Sequence, residues 1–338
     1  MDYKLSVIFI TYNHGPYVEK ALRSVLAQET DFPFEVVIGD DHSTDETGEI
    51  LKRIAKEYPC HEAAGPGDKQ IRLFIREQNT GKRPTLNVYE TTKRCNGTYL
   101  AYLEGDDYWT DVHKLQKQVD ILEAHPEYMA VTHSLEMVDE NGEKITDPQV
   151  LSVGDLYDWK GIYTYDDFCH SGRWPGHYAT VVSRNIYKEE KYDYTILHRA
   201  SDFTDDAMIL LFLLMQGNIY RMDDVMSAWR YVKKSGGSNW NSIAIRRDIA
   251  RDDCYLSKTV MQWIEQYRTL GPYSRKRCID DFGLALKEYL KRPNKTNRQF
   301  LTDMYEYGIT HVVMKDQKTT LLHFAVRFIL SRMGFVKL

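Results

Sequence analysis

Residues 99–109 read Tyr99-Leu100-Ala101-Tyr102-Leu103-Glu104-Gly105-Asp106-Asp107-Tyr108-Trp109. A short apolar run without alternation ends in two adjacent carboxylates, and two bulky aromatics follow at once. Such a run has the pattern of a strand buried on both faces, as in a parallel sheet covered by helices. Three upstream segments repeat it: Leu5 to Ile10, Phe34 to Ile38 and Ile71 to Ile75. Between them the apolar spacing turns helical, with Val18, Ala21, Leu22, Val25 and Leu26 on one face and Ile50, Leu51, Ile54 and Tyr58 on another. The order βαβαβαβ predicts an α/β fold with a mostly parallel, doubly wound sheet flanked by helices. Ser43-Thr44-Asp45-Glu46 has the spacing of a capping box and predicts a helix N-terminus there. Ligands of such sheets bind beyond the carboxyl ends of the strands. The unusual polar residues lie at those ends: Thr11-Tyr12-Asn13, Asp40-Asp41 and Gly105-Asp106-Asp107.

Further along, Met129 to Val138 and Tyr178 to Val182 read as later strands. The aromatic and Gly-containing stretch between them, through Trp159, Trp174-Pro175-Gly176 and His177, is the expected acceptor surface. Trp174 and His177 would offer it a stacking ring and a hydrogen-bonding ring, although core aromatics and structural histidines have the same appearance. After about residue 240 the spacing is helical throughout, with Ile245, Ile249, Leu256, Val260 and Trp263, then Ile279, Phe282 and Leu286. The expected organisation is a ligand-binding domain over residues 1–240 and a helical extension over 241–338. The chain has 338 residues, 43% of them hydrophobic, enough to build a full core and an appended module.

The formal net charge is only −5, with basic residues spread among the acids, so no whole-molecule field draws in nucleic acid. Five widely spaced cysteines without a CxxC pair fit reduced thiols. The first residues show no signal-peptide pattern, and no window reaches the roughly 18 apolar residues that span a bilayer. The expectation is a cytoplasmic protein, soluble or peripheral on the inner face of the membrane. Lys315 to Leu338 carries five basic residues against one acid, interleaved with Leu321, Leu322, Phe324, Ala325, Phe328 and Ile329. A basic amphipathic helix lying on an anionic membrane and a tail packed on the core both fit that pattern.

Two adjacent carboxylates at a strand end, against Tyr108 and Trp109, repel one another unless a cation or hydrogen bonds compensate. Oxygen ligands suit Mg²⁺ or Mn²⁺, which also bridge phosphate oxygens. An Asp-rich turn capping the helix around Leu115, Val119 and Leu122 has the same sequence. The first strand is followed neither by GxGxxG nor by a P-loop, which counts against other nucleotide-binding classes such as nucleotidyltransferases.

Taken in order, Ser6-Val7-Ile8 to Thr11-Tyr12-Asn13, Gly39-Asp40-Asp41-His42-Ser43-Thr44-Asp45, Asn79-x-Gly81, Glu104-Gly105-Asp106-Asp107, Thr204-Asp205-Asp206 and Trp229-Arg230-Tyr231 resemble the motifs of the family 2 inverting glycosyltransferases of bacterial polysaccharide type. The resemblance covers about residues 3 to 240 and implies a GT-A fold. It implies a sugar moved from a nucleotide diphosphate sugar, UDP-linked in the first expectation, to a hydroxyl of a glycan or lipid-linked acceptor. It also implies a divalent metal, Mn²⁺ or Mg²⁺. By that resemblance Thr11, Tyr12 and Asn13 border the nucleoside, Asp41 accepts from base or ribose, and Asp106 faces the ribose. Asp107 ligates the metal, and Arg83 steadies phosphate or donor sugar. Asp206 aligns with the second acid of the family's Glu-Asp pair and would be the base, with Asp202 and Asp205 as alternatives. Acids at the start of the apolar helix Ala207 to Leu214 also suit its dipole.

Arg230, Lys233 and Lys234 are candidate cations for the leaving diphosphate. Ser235-Gly236-Gly237-Ser238 reads either as a loop that closes over the donor or as a plain linker. The chain departs from the family in having Val232-Lys233-Lys234 where a histidine often follows Tyr-Arg. That leaves the metal's ligand set open. A scaffold that keeps the fold and binds sugar nucleotide or glycan without turnover is the competing expectation.

Overall fold

The structure is a computed structural model describing residues 3–58, 65–81, 84–171, 173–189, 191–200, 206–232 and 249–313. Arg83, Asp202, Asp205, Lys233, Lys234, the 235–238 loop and the 315–338 segment lie outside the described residues, as do Cys60 and Ile245.

The four expected strands form as β1 (Leu5–Thr11), β2 (Phe34–Asp40), β3 (Lys69–Ile75) and β4 (Tyr99–Glu104). They lie parallel in the spatial order β3-β2-β1-β4. All of β2 and nearly all of β1 and β4 is buried, which is why their sequences do not alternate. The register sets Thr11 opposite Asp40 and Ile10 opposite Glu104, so the polar strand ends share one edge.

Helix α1 (Gly15–Leu26) has a proline in its first turn and buries Val18, Ala21, Leu22, Val25 and Leu26, the face its spacing predicted. Helix α2 (Thr47–Ala55), α3 (Pro84–Thr92) and α4 (Lys114–Ala124) follow β2, β3 and the short β5 (Tyr108–Trp109). One continuous core joins β1, β2 and β4 to α1, α2 and α4.

Beyond β4 the sheet changes character. Strands β6 (Tyr128–Val138), β7 (Gly161–Tyr163), β8 (Val182–Arg184) and β9 (Asn218–Arg230) complete a nine-stranded mixed sheet. β8 runs antiparallel between β4 and β6, β9 lies parallel to β6, and β5 and β7 pair antiparallel with β9. The parallel doubly wound reading therefore holds for the first four strands, and the later ones make the sheet mixed.

Two local expectations are corrected. Tyr178–Thr180 is a 3₁₀ turn instead of the start of a strand, because Thr180 donates through both its N–H and its hydroxyl to the His177 carbonyl. The capping box at Ser43 does not form. The Ser43 hydroxyl is drawn back to Asp40, and Asp45 instead accepts from Thr47 N at 3.0 Å and from Gly15 N at 2.9 Å, so α2 starts at Thr47.

The chain divides into two compact units, one of Met1–Tyr165 with Arg173–Arg246, the other of Asp166–Gly172 with Arg247–Leu338. Within the second, helices Ile249–Ile264, Pro272–Lys291 and Lys295–Met304 and a π-helical segment Tyr305–Val313 surround Cys254, Ala285, Phe300, Leu301 and Met304. Ile279 is half exposed, and its neighbour Cys278 is buried. Cys95, Cys169, Cys254 and Cys278 are buried. Among the described residues no helix is long and apolar enough to cross a membrane.

Candidate active site

The carboxyl ends of β1, β2 and β4 place three loops side by side. Asn13 and His42, the second residues beyond β1 and β2, both have positive φ, 54° and 62°. Side-chain bearing residues adopt that conformation rarely and only when the surroundings enforce it. The enforcing bonds are visible. The Asn13 amide oxygen accepts from Thr44 N at 2.7 Å, Asn13 N donates to Ser43 Oγ at 2.9 Å, and a His42 ring nitrogen meets the Arg76 carbonyl at 3.0 Å.

Asp41 is buried, and its carboxylate is taken up inside the protein. It accepts from Thr80 N at 3.0 Å, Thr80 Oγ1 at 2.6 Å and Asn79 Nδ2 at 3.0 Å, with Arg76 Nε at 3.5 Å. Burial pushes its pKa up, against the Thr80 hydroxyl and N–H and the Arg76 charge. Three donors and a guanidinium nearly exhaust the roughly four acceptor sites of a carboxylate. The Asn79-x-Gly81 motif is thus a turn folded onto Asp41, closed by Gly81 N donating to Asn79 Oδ1 at 2.7 Å with Gly81 at φ +67°. Both Asp41 and Asn13, expected against the nucleoside, spend their oxygens on holding loops.

The β4 end is different. Gly105 has no room for a side chain, since a Cβ there would lie 2.6 Å from Thr11 Oγ1 and 2.9 Å from His14 Nδ1. Thr11 is therefore pressed behind Gly105, its buried hydroxyl without a hydrogen-bond partner, while Tyr12 is half-buried beside it. The Asp106 carboxylate accepts no hydrogen bond from a described residue, and its nearest partner is His14 Nε2 at 3.8 Å.

Asp107 is only 2% exposed. Its Oδ1 accepts from Arg230 N at 2.8 Å, whereas its Oδ2 has no hydrogen-bond partner and faces His177 Nδ1 at 3.9 Å. Burial, and next the charge of Asp106, pushes its pKa well above the ordinary carboxylate range, against the Arg230 N–H and guanidinium. A buried, half-satisfied carboxylate is costly unless a cation or proton joins it.

Arg230 reaches this point because β9 ends opposite Val138 of β6. Its guanidinium is hydrogen-bonded from within. Nε donates to the Asp106 carbonyl at 2.9 Å and Nη1 to the carbonyls of Asp139 and Glu140 at 2.8 and 2.9 Å, over the ring of Tyr17. These bonds tie Arg230, expected as a diphosphate cation, to the Asp106-Asp107 loop.

Glu104, Asp107 and His177 each bring one ligand atom within 4.8 Å of the others. From sequence alone His177 is expected at the acceptor, and Glu104 has no expected role. Two ligands on one ion at about 2.1 Å each can be at most about 4.2 Å apart, and the 3.9 Å between Asp107 Oδ2 and His177 Nδ1 fits that. The carboxylates of Glu104 and Asp107 are donor types that suit a divalent cation. The His177 ring is tilted against Trp229, centroids 4.8 Å apart, and meets the edge or face of Tyr157 at 5.4 Å and 87°. Trp229, which the sequence does not single out for this place, is in ring contact with His177, and the Trp174 backbone N–H donates to the Leu156 carbonyl at 3.0 Å. Asp206 begins the helix Asp206–Leu214, whose following residues Met208 to Leu214 are buried.

This arrangement, with a Rossmann-like half, a mixed half and an acidic loop where they meet, defines a nucleotide-sugar transferase fold. Residues 6–201, more than half of the chain, match the model of glycosyl transferase family 2, and the chain belongs to that family. An uncharacterised protein of Mycobacterium tuberculosis is 38% identical over 148 residues, 44% of this chain and 40% of the relative. A putative teichuronic acid biosynthesis glycosyltransferase of Bacillus subtilis, TuaG, is 34% identical over 118 residues, 35% of this chain and 41% of its own. The matches thus span well under half the length of these relatives. Among solved structures, residues 1–349 of TarS from S. aureus superpose with a TM-score of 0.59 at 17% identity, covering 90% of this chain and 81% of that one. The mannosyltransferase PcManGT from Pyrobaculum calidifontis, solved with GDP-Man and Mn²⁺, superposes with a TM-score of 0.52 at 16% identity, covering 99% and 82%.

Proposed function

We propose that the protein is an inverting glycosyltransferase that moves a sugar from a nucleotide diphosphate sugar, a UDP-sugar in the first instance, to a hydroxyl of a glycan or lipid-linked acceptor. Cell-surface polysaccharide assembly is the setting that the name of TuaG supports. The observation that carries the reading is the buried Oδ2 of Asp107, left without a hydrogen-bond partner at the carboxyl end of the parallel sheet. TarS has also been solved with UDP-GlcNAc, again at low identity to this chain.

In this reading the nucleoside lies over the β1 and β2 loops against Tyr12, and Arg83 steadies its phosphates or the donor sugar. The Asp106 carboxylate, unengaged by other described side chains, accepts from the ribose hydroxyls. Asp41 and Asn13 act one step back, holding the loops that shape the nucleoside pocket. Asp107, with Glu104 beside it, holds the divalent cation, Mn²⁺ or Mg²⁺. When bound, that cation neutralises charge on the diphosphate as it leaves. Arg230 keeps the Asp107 loop in place. Asp206 takes the proton of the acceptor hydroxyl while the oxygen attacks the anomeric carbon from the face opposite the diphosphate. One C–O bond forms, the bond to the phosphate oxygen breaks, and the configuration inverts. A positioned carboxylate base is worth about 10² to 10⁴ in rate.

The test is thermal stabilisation of the full chain by UDP, GDP and their sugar conjugates with and without Mn²⁺, followed by transfer assays with Asp206→Asn. Donor at about 100 times its dissociation constant adds roughly 2.7 kcal/mol of stability. The expected outcome is a metal-dependent shift for one donor family, retained in Asp206→Asn while transfer falls at least about 10²-fold. Donor binding without transfer by the wild-type protein, across glycan and lipid-linked acceptors, would favour the non-catalytic scaffold.

A further inference from the structure

Facing Asp106 from the loop after β1 is a ring to which the proposed reading gives no role. His14, the residue before α1, is 8% exposed, and among the described residues neither of its ring nitrogens makes a hydrogen bond. Its backbone is fixed, since its carbonyl accepts from Tyr17 N and Val18 N, both at 2.8 Å. Nδ1 is sealed inside, 2.9 Å from the place a Cβ on Gly105 would take, and the equally unpartnered Thr11 Oγ1 lies 2.6 Å from the same point. Nε2 faces Asp106 Oδ2 at 3.8 Å, too far for a hydrogen bond between them. Asp106 is itself 7% exposed, and its backbone is held by Arg230 Nε, which donates to its carbonyl at 2.9 Å.

Two buried polar groups that stop short of each other define what fits between them. The carboxylate only accepts. Of the two neutral forms of His14, the one protonated on Nε2 leaves a lone pair, not an N–H, in the sealed position against Gly105, and it turns its N–H towards Asp106. The guest must therefore accept from Nε2 and donate to Oδ2 at once, which a hydroxyl, of water or of a ligand, does. An oxygen about 2.8 Å from both atoms closes a triangle on the 3.8 Å base with an angle of roughly 85° at its apex. A phosphate oxygen accepts but has nothing to donate, and the carboxylate repels it. An ammonium group donates but offers Nε2 no acceptor, and a metal ion needs the opposite tautomer, with an orphaned N–H sealed inside.

We propose that His14 is a specificity residue for the donor nucleotide: its Nε2–H and the Asp106 carboxylate hold one and the same ribose hydroxyl, so the protein takes a ribonucleotide and refuses the deoxy form that lacks this hydroxyl. The proposal rests on the glycosyltransferase reading, in which Asp106 meets the ribose, and deepens it by naming the side chain that reads the sugar ring of the nucleotide. β1 and β4 are neighbours in the parallel sheet, so their loops bring the two halves of the pair to one point, and His14 follows Tyr12 and Asn13 on the loop proposed beside the nucleoside. The selection follows from burial. Without the hydroxyl a carboxylate and an N–H, both largely out of water, are left unpaired, and a site built to hydrogen-bond a hydroxyl rejects an analogue lacking it far more sharply than an apolar pocket rejects a missing methylene.

The experiment is calorimetric titration of the full chain, in MnCl₂, with UDP and GDP and with the 2′-deoxy and 3′-deoxy forms of each. Wild type should bind one of the two ribonucleotides, and one of its deoxy forms at least about 30-fold more weakly. The variants are His14→Phe, which keeps a ring against Gly105 and removes the N–H, and His14→Leu, which carries the test if the Phe form gives no cooperative melt. In a folded variant the ribonucleotide should bind at least about tenfold more weakly, while the refused deoxy form stays within about threefold of its wild-type affinity. The discrimination between the two then shrinks, which a ring that merely packs would not cause.

A wild type that binds a ribonucleotide and both of its deoxy forms alike overturns the proposal and leaves the glycosyltransferase reading standing. Equal losses for ribo and deoxy forms in a folded variant overturn it as well, since His14 then only packs, and so does discrimination that a folded variant retains in full, since Asp106 then reads the hydroxyl alone. Binding of neither UDP nor GDP overturns the donor reading and takes the shared hydroxyl with it, so the two failures are told apart by whether any ribonucleotide binds.

Discussion

The chain carries the dipeptide Asp-Asp twice at the ends of parallel strands, at Asp40-Asp41 and at Asp106-Asp107. In the first pair both carboxylates are engaged from within. Asp40 accepts from Ser43 N at 3.0 Å and from the Ser43 hydroxyl, and Asp41 accepts from Asn79 and Thr80. In the second, Asp106 accepts no side-chain hydrogen bond from a described residue and Asp107 leaves one buried oxygen open. The same two residues in the same place in the fold thus do opposite work. A satisfied buried carboxylate holds a loop, and in the proposed reading an unsatisfied one takes a ligand.

The largest effect that can break this contrast comes from Asp107→Asn. It keeps the Oδ1 that accepts from Arg230 N and removes the charge. Transfer should fall by about 10³-fold, roughly 4 kcal/mol of transition-state stabilisation. In EDTA the melting temperature should be no lower than that of the wild type, because an uncompensated buried charge has gone. A clear loss of metal-free stability would mean that Asp107 is as structural as Asp41.

Asp41→Asn should do the reverse. It turns an amide towards a pocket of donors, Thr80 N–H, Thr80 Oγ1 and Asn79 Nδ2. A loss of about 2 to 3 kcal/mol in denaturant unfolding is expected, with donor affinity reduced only as the loop loosens. Unchanged stability together with lost donor binding would return Asp41 to direct contact with the nucleoside.

Gly105→Ala comes next, at about 1 to 3 kcal/mol, because the added methyl meets Thr11 Oγ1 at 2.6 Å and His14 Nδ1 at 2.9 Å. It moves the Asp106-Asp107 loop outward without touching either carboxylate. Weaker Mn²⁺ binding by this variant would sharpen the contrast, since only the open pair depends on that close approach.

These two Asp pairs show where the sequence could be read and where it could not. The four parallel strands and the face of α1 were legible because burial on both sides of a strand, or on one side of a helix, marks consecutive residues. The GT-A motifs marked which strand ends mattered. Whether a given carboxylate is satisfied is a different kind of fact. Asp41 depends on Asn79 and Thr80, 38 and 39 residues away, and Asp107 on Arg230, 123 residues away. His177 comes beside Asp107 only because the antiparallel β8, just after it, lies against β4. No local pattern announces that pairing, nor the packing of Trp229, 52 residues further on, against the His177 ring. The signal for Glu104 is its place in the Glu-Gly-Asp-Asp motif, beside the two aspartates.

A buried base provides the smallest and finest test of the same principle. His133 is buried with one ring nitrogen 2.7 Å from the Ser134 carbonyl and the other 3.4 Å from Ser227 Oγ. Burial, then the charge of Lys114, holds its pKa well below the ordinary imidazole range, with Arg221 and Lys117 adding to the effect and the Ser134 bond opposing it. The folded state therefore binds fewer protons than the unfolded one once the pH is below the unfolded value of about 6.5. The stability that neutral His133 contributes is whole above that pH and is lost as the pH falls towards the folded pKa. The slope is at most about 1.4 kcal/mol per pH unit. His133→Gln removes this proton uptake, so the advantage of the wild type should shrink between about pH 7 and pH 5 while metal binding stays unchanged. A stability difference that stays flat over that interval would mean that water reaches His133. Buried polar atoms in this half of the sheet would then not be as dry as the orphaned oxygen of Asp107 requires.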